Sequence, residues 1–134
     1  MLSHSELNPQ QQEAVNYGLS SVGAGETELS DETHHPLLII AGAGTGKTNT
    51  LAHKTAQLIL HGVAPERILL MTFARRASSE LSSRANRIIE RTLREKQKAY
   101  HPITLPWMGT FHSIASRLLR EHASLIGLDP DFTV

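Results

Sequence analysis

The segment "LLII", residues 37–40, runs directly into "AGAGTGKT", residues 41–48, and then into a stretch with helical spacing. No other feature of the chain narrows its fold as far. A continuous apolar run bounded by Pro36 and Gly42 predicts a strand buried on both faces, as in the middle of a parallel sheet. From Lys47 to His61, Leu51, Thr55, Leu58 and Ile59 recur at helical spacing, and Gly62 with Pro65 ends the predicted helix. The eight residues between fit the pattern G-x-x-x-x-G-K-[ST] in its looser form, with Ala41 in the first position and Gly46, Lys47 and Thr48 in register. Small residues let the backbone wrap closely around a phosphate, successive N–H groups form a nest for the anion, and the helix N-terminus adds a favourable dipole. Lys47 is expected to reach the β- and γ-phosphates of a nucleotide, and Thr48 to place its hydroxyl on Mg²⁺. The competing interpretation is a glycine-rich turn with no ligand. The loose pattern arises by chance in roughly one chain of this length in a hundred. A buried strand before it and an amphipathic helix after it make chance rarer still, so the nucleotide site is preferred.

The rest of the chain supports an α/β organisation. Asn8 followed by Pro9 reads as an N-cap and first helical position, so "NPQQQEAVNYG" predicts a short helix stopped at Gly18. Residues 19–36, rich in Ser, Gly, Thr and acids, read as a flexible surface loop. "RILLMTF" repeats the buried-strand pattern. A long helix is predicted over 74–98, with Ala77, Leu81, Ala85, Ile88, Ile89 and Thr92 on one stripe. "PITLPWMG" predicts a third, weaker strand interrupted by Pro106. Thr110 is placed to cap a helix over 111–126. The order αβαβαβα indicates one α/β domain over residues 1–134, with a mainly parallel sheet flanked by helices.

Composition excludes several classes. No apolar run approaches the roughly 20 residues that a membrane helix needs. The N-terminus "MLSHSELNPQ" lacks the basic and apolar regions of a secretion signal, and the absence of cysteine removes disulfides and thiolate metal sites. A cytoplasmic protein is expected. Net charge is zero, yet it is unevenly spread. Residues 1–36 carry six acids and no Lys or Arg, whereas residues 37–100 carry eleven bases against four acids. That asymmetry points modestly to a polyanionic partner for the middle of the chain.

Four stretches in order, "LNPQQQEAV", "AGAGTGKTNTLAHKTAQLI", "ILLMTFARRASSEL" and "GTFHSIASRLLR", resemble the opening of UvrD/Rep-type superfamily 1 DNA helicases, with its Q motif, Walker A motif, motif Ia and TFHS motif. The resemblance implies a P-loop NTPase fold of RecA-like type, incomplete here. Gln11 would then read the adenine edge, for which an amide with one donor and one acceptor side is suited. Gln10 and Gln12 remain solvent-facing candidates. Ala41, Gly42, Ala43, Gly44, Thr45, Gly46, Lys47, Thr48 and Asn49 would form the ATP site, with Lys47 and Thr48 catalytic and Mg²⁺ held by Thr48 through ATP. Relatives usually carry Arg where Asn49 stands. In motif Ia the family typically reads "TFTNKAA"; Thr72 and Phe73 match, while Ala74 and Arg75 depart from it. Thr72, Phe73, Arg75, Arg76, Thr110, Phe111 and His112 would contact single-stranded DNA, Phe73 by stacking on a base and the TFHS residues near the backbone. Taken alone, Phe73 would be a core residue, His112 a capping or packing histidine, and Gln11 a polar residue on an exposed helix.

Arg76, Arg84, Arg87, Arg91, Arg94 and Lys98 fall within about 80° of one another on a helical wheel. The stripe suits phosphates, but Glu80 with Arg84 and Glu90 with Arg94 are i, i+4 pairs of an ordinary solvated helix, and that assignment is preferred. Hydrolysis also needs a Walker B acid, a water-positioning residue and an arginine. No strand followed by acids is present, and Asp129, before Pro130, is rejected. The chain is therefore expected to be the N-terminal part of the first RecA-like domain of a helicase that moves 3′ to 5′ and acts on single strands and duplex junctions. Its partners would include the remaining helicase domains, its location the cytoplasm and nucleoid, and the segment alone would not turn over ATP. Two alternatives stand beside this: a self-contained P-loop kinase or nucleotide-binding regulator, and a nucleic-acid-binding module without an ATP role. A Walker B strand ending in two acids beyond Val134 would separate them.

Overall fold

The computed structural model describes residues 7–19, 35–43 and 46–133. Most of the expected loop 19–36, together with Gly44 and Thr45 of the glycine-rich turn, lies outside the described residues. Among the described residues six regular elements follow one another: helix α1 (Pro9–Asn16), helix α2 (Lys47–Leu60), strand β1 (Leu69–Thr72), helix α3 (Arg75–Glu95), strand β2 (Trp107–Thr110) and helix α4 (Phe111–Glu121). Short 3-10 turns occupy Pro65–Arg67 and Ala123–Ile126. Strands β1 and β2 pair in parallel, Leu69 opposite Trp107 and Thr72 opposite Thr110. The chain is thus a mixed helix and strand structure, compatible with an α/β fold. No described helix is long and apolar enough to cross a membrane.

Local chemistry explains the helix starts. The Asn8 side chain accepts from the Gln11 N–H while the Gln11 side chain accepts from the Asn8 N–H, a reciprocal capping box closed by Pro9 in the first turn. Thr110 caps α4 by accepting from the Ser113 N–H at 3.2 Å. That helix ends at Glu121, and the expected span to residue 126 finishes as a 3-10 turn. Helix α3 stops at Glu95, three residues short of expectation, where Gln97 turns to a φ of 54°.

The core lies between α2 and α3 and where α3 packs against β1 and β2. Leu81, Ala85, Ile88, Ile89 and Thr92 are buried as the stripe on α3 requires, and Ser78 joins them. Full burial of a side chain such as Leu81 or Ile89 stabilises by about 1.5–3 kcal/mol. Helix α2 meets this stripe differently from expectation. Ala52 and Ala56 are fully buried, Leu58 and Ile59 are half-buried, and Leu51 is exposed. Small residues let the two helices approach closely, so packing follows backbone proximity rather than side-chain bulk. The segment between α3 and β2 is anchored by Asn86, whose amide donates to the Ile103 carbonyl and accepts from Ile103 N–H and the Tyr100 hydroxyl.

Two strand expectations need correction. Residues 37–40 form no strand, and Leu38 and Ile40 are 80% and 87% exposed. A strand is a pairing, and β1 and β2 pair with each other and not with this run. Without neighbours the apolar run stays outside the core, and the order αβαβαβα loses its first strand among the described residues. "RILLMTF" does form a strand over Leu69–Thr72, but burial is not continuous: Ile68 and Leu70 are buried, with Leu69 and Met71 exposed. A two-stranded sheet has helices enough to cover one face of it, so burial alternates instead of running continuously.

Candidate functional site

Two clusters of candidate residues emerge. The first lies between α1 and the start of α2. Gly46 is the N-cap of α2 with a φ of 87°, a left-handed conformation that favours glycine. A Cβ at this position would stand 2.7 Å from Gln11 Nε2, so the Gln11 amide sits directly against the turn that precedes Lys47. A cavity of about 340 Å³ opens there, lined by Asn8, Gln10, Gln11, Ala14, Ile39, Ile40, Ala41, Lys47 and Thr50. That volume is at the low end of small-molecule sites. Ile39, Ile40 and Ala14 supply an apolar wall, and Asn8, Gln11, Lys47 and Thr50 the polar groups.

Polar groups of this cavity are engaged with the protein itself. Lys47 Nζ donates to the carbonyls of Ala41 at 2.8 Å and Gly42 at 2.9 Å, folding the ammonium back across its own loop. Gln11 Oε1 accepts from Asn8 N–H at 2.9 Å, so the acceptor side of the amide already has one partner while the donor side reaches Gly46. Thr50 Oγ1 donates to the Gly46 carbonyl at 3.0 Å. Thr48 is exposed on the first turn of α2, and Gly42 and Ala43 are exposed in the loop. Asn49 does not join the set: it lines a separate cavity facing α3. Of the neighbouring glutamines, Gln10 is exposed as expected. Gln12 is half-buried and donates to the Leu7 carbonyl at 2.9 Å, which corrects its assignment as solvent-facing.

Lys54, one turn further along α2, was not marked by any sequence motif. Its Nζ donates to the carbonyls of Val15, at 3.0 Å, and Tyr17, closing the C-terminal end of α1. Burial lowers its pKa. The lysine ties the helix that carries Gln11 to the helix that carries Lys47, and only the spatial pairing of α1 with α2 could have revealed it.

The second cluster sits at the C-terminal ends of the two strands. Parallel pairing sets Thr72 beside Thr110, and the residues that follow, Phe73 and Phe111, bring their rings to 5.0 Å between centroids at a 41° tilt. Phe73 is 92% exposed, so its apolar face is presented to solvent and is no part of the core. Arg75 and Arg76 stand exposed on the first turn of α3, and His112 exposed on the first turn of α4. Thr72 Oγ1 donates to the Ala74 carbonyl at 2.9 Å and lies 2.6 Å from Ser78 Oγ, fixing the turn that projects Phe73. Gly109 lies close against α4: a Cβ there would stand 2.5 Å from Ser113 Oγ, which would have to move from the Thr110 carbonyl it now donates to. The structure therefore gathers Thr72, Phe73, Arg75, Arg76, Thr110, Phe111 and His112 at one end of the sheet. Exposed aromatics beside cations are able to stack bases and hold phosphates. Among the described residues no group of His, Asp or Glu is arranged to hold a metal ion by itself.

Residues 23–134 match the family model of the UvrD/REP helicase N-terminal domain. The ATP-dependent DNA helicase PcrA of Staphylococcus epidermidis is 36% identical over 121 residues, which are 90% of this chain and 15% of that protein. PcrA of Staphylococcus aureus is 34% identical over a stretch of the same length and coverage. The chain thus spans about 15% of the length of these curated relatives.

Proposed function

Because the chain belongs to the UvrD/REP helicase N-terminal domain family, we propose that it supplies part of the ATP site and part of the single-strand path of an ATP-dependent DNA helicase. The observation that carries this reading is the contact of the Gln11 amide with Gly46, which joins a base-reading side chain to the phosphate loop at one cavity. In this reading Gln11 meets the adenine, Ala41 to Thr48 wrap the phosphates, and the Lys47 ammonium exchanges its two loop carbonyls for phosphate oxygens. An ammonium that is already held over the loop by oxygen acceptors is chemically suited to that exchange. The exposed Thr48 hydroxyl oxygen would fit Mg²⁺, which commonly takes few protein ligands alongside nucleotide phosphates and water, while the loop N–H groups face the phosphates. When bound, Mg²⁺ supplies neutralisation of the phosphate charge. Asn49, turned toward α3, falls outside this set.

Phe73 and Phe111 form the stacking platform for single-stranded DNA, with Arg75, Arg76 and His112 holding the backbone. The fold is the N-terminal part of a RecA-like P-loop domain, and the exposed run at 37–40 supports this: an apolar strand sequence with no partner among the described residues calls for further strands beside it. The whole protein would translocate 3′ to 5′ with ATP hydrolysis in the cytoplasm. The 134-residue chain is expected to bind an ATP analogue and a short oligonucleotide, each followed by fluorescence anisotropy, without turning ATP over. Robust DNA-stimulated phosphate release by this chain would refute the reading of a partial catalytic site.

A further inference from the structure

The arginine stripe on α3 is divided by the structure into two different environments. Arg94, 78% exposed at its side chain, pairs with Glu90 at 2.5 Å and belongs to the solvated face expected from its spacing. Arg84, Arg87 and Arg91 instead line a cavity of about 320 Å³, with Ile88 and Asn49 completing its walls. Asn49 lies about 160° around α2 from Lys47 at 100° per residue, so this cleft opens on the opposite flank of α2 from the Gln11 cavity.

We propose that this cleft is a second nucleic-acid contact that binds phosphodiester backbone without reading sequence, an inference that rests on the nucleic-acid half of the function proposed above. Guanidinium groups match phosphate oxygens in a fixed fork geometry, and the Asn49 amide adds a neutral donor. Arg84 already has Glu80 at 2.6 Å, so part of its charge is balanced. Arg87 donates its Nε to the Ser83 carbonyl, at 3.4 Å, and among the described residues its terminal amino groups have no partner, which leaves them for an incoming anion. Among the described residues no aromatic lines the cleft, so they offer no surface for base stacking and suit the backbone alone. From Arg84 to Arg91 the helix rises about 10 Å, a length that suits a chain of phosphates better than one ion. Continuity favours nucleic acid over an acidic protein. Arg76, in the cluster at the strand ends, shares the flank of α3 that Arg84 and Arg87 occupy, so a strand stacked on Phe73 has a basic track leading to the cleft.

The test measures affinity of the 134-residue chain for a fluorescein-labelled oligothymidylate across a salt series. The double reversal Arg84→Glu with Arg87→Glu is expected to weaken binding by roughly tenfold or more and to flatten the salt slope by about 1 to 2. The control Arg94→Glu, on the solvated side, should stay within about twofold. Circular dichroism checks helix content, and Arg84→Gln with Arg87→Gln serves if the reversal disturbs folding, with a smaller loss in the same direction. A double variant no weaker than the control would overturn the inference. If Phe73→Ala loses affinity while the double variant does not, the cleft is wrong and the stacking platform stands. Absence of any oligonucleotide binding by the wild-type chain would remove both, and displacement of the oligonucleotide by poly-glutamate at equal charge concentration would assign the cleft to acidic protein instead.

Discussion

The two candidate surfaces differ in how their polar and apolar groups are satisfied. Between α1 and α2, polar groups that line the cavity are already tied to the protein, Lys47 to two loop carbonyls, Gln11 to the Asn8 N–H and Thr50 to Gly46, while Thr48 is exposed. At the strand ends, Phe73 is presented almost wholly to water beside exposed arginines. The first surface must exchange internal hydrogen bonds for ligand bonds, and its affinity is the difference between the two sets. The second gains by covering apolar area and starts with little to exchange. Nucleotide binding should therefore depend on single polar atoms, and nucleic-acid binding on shape and aromatic area.

Substitutions sharpen that contrast. The largest effect is expected for Lys47→Ala, which removes a charge-assisted interaction of about 1.5–3 kcal/mol and should lower affinity for an ATP analogue by roughly 10- to 100-fold. Oligonucleotide affinity measured on the same sample should hardly move, and a parallel loss of both would dissolve the distinction between the surfaces. Next comes Phe73→Ala, expected to cost about 1–3 kcal/mol of stacking. The drop should be similar for oligothymidylate and oligoadenylate, because stacking is tolerant of base identity; a loss confined to one base would point to hydrogen-bonded readout instead. Smallest is Gly46→Ala, where a left-handed φ alone costs about 1–2 kcal/mol. The new methyl also meets Gln11 Nε2, so nucleotide affinity should fall along with the midpoint of chemical denaturation, while binding through Phe73 persists in the folded fraction.

Local rules identified much of this in advance. Asn8 and Pro9 gave the start of α1, Thr110 the start of α4, and the spacing of Leu81, Ala85, Ile88, Ile89 and Thr92 the buried side of α3. Each depends on residues within a few positions of one another. The run at 37–40 carries the same apolar signal as 69–72 yet forms no strand, because a sheet requires a partner distant in sequence and composition does not specify one. Lys54 escaped for the same reason: what it touches is set by helices meeting in space. The candidate residues Phe73 and Phe111, 38 positions apart, came from a resemblance in motifs, and it is the strand pairing that explains why they adjoin.

The register of that pairing has an evolutionary consequence. Thr72 and Thr110 occupy one rung of the ladder, and the two phenylalanines follow it by one residue each. Successive strand residues point to opposite sides, so a single-residue deletion within either strand would put the rings out of step. The connection from residue 96 to 106 contains no helix or strand in the structure and has no such rung to keep. Length changes among descendants of this chain are therefore expected to accumulate in the exposed start of that connection, residues 96–99, ahead of Tyr100 and Ile103, which Asn86 holds, while the four-residue strands keep their count.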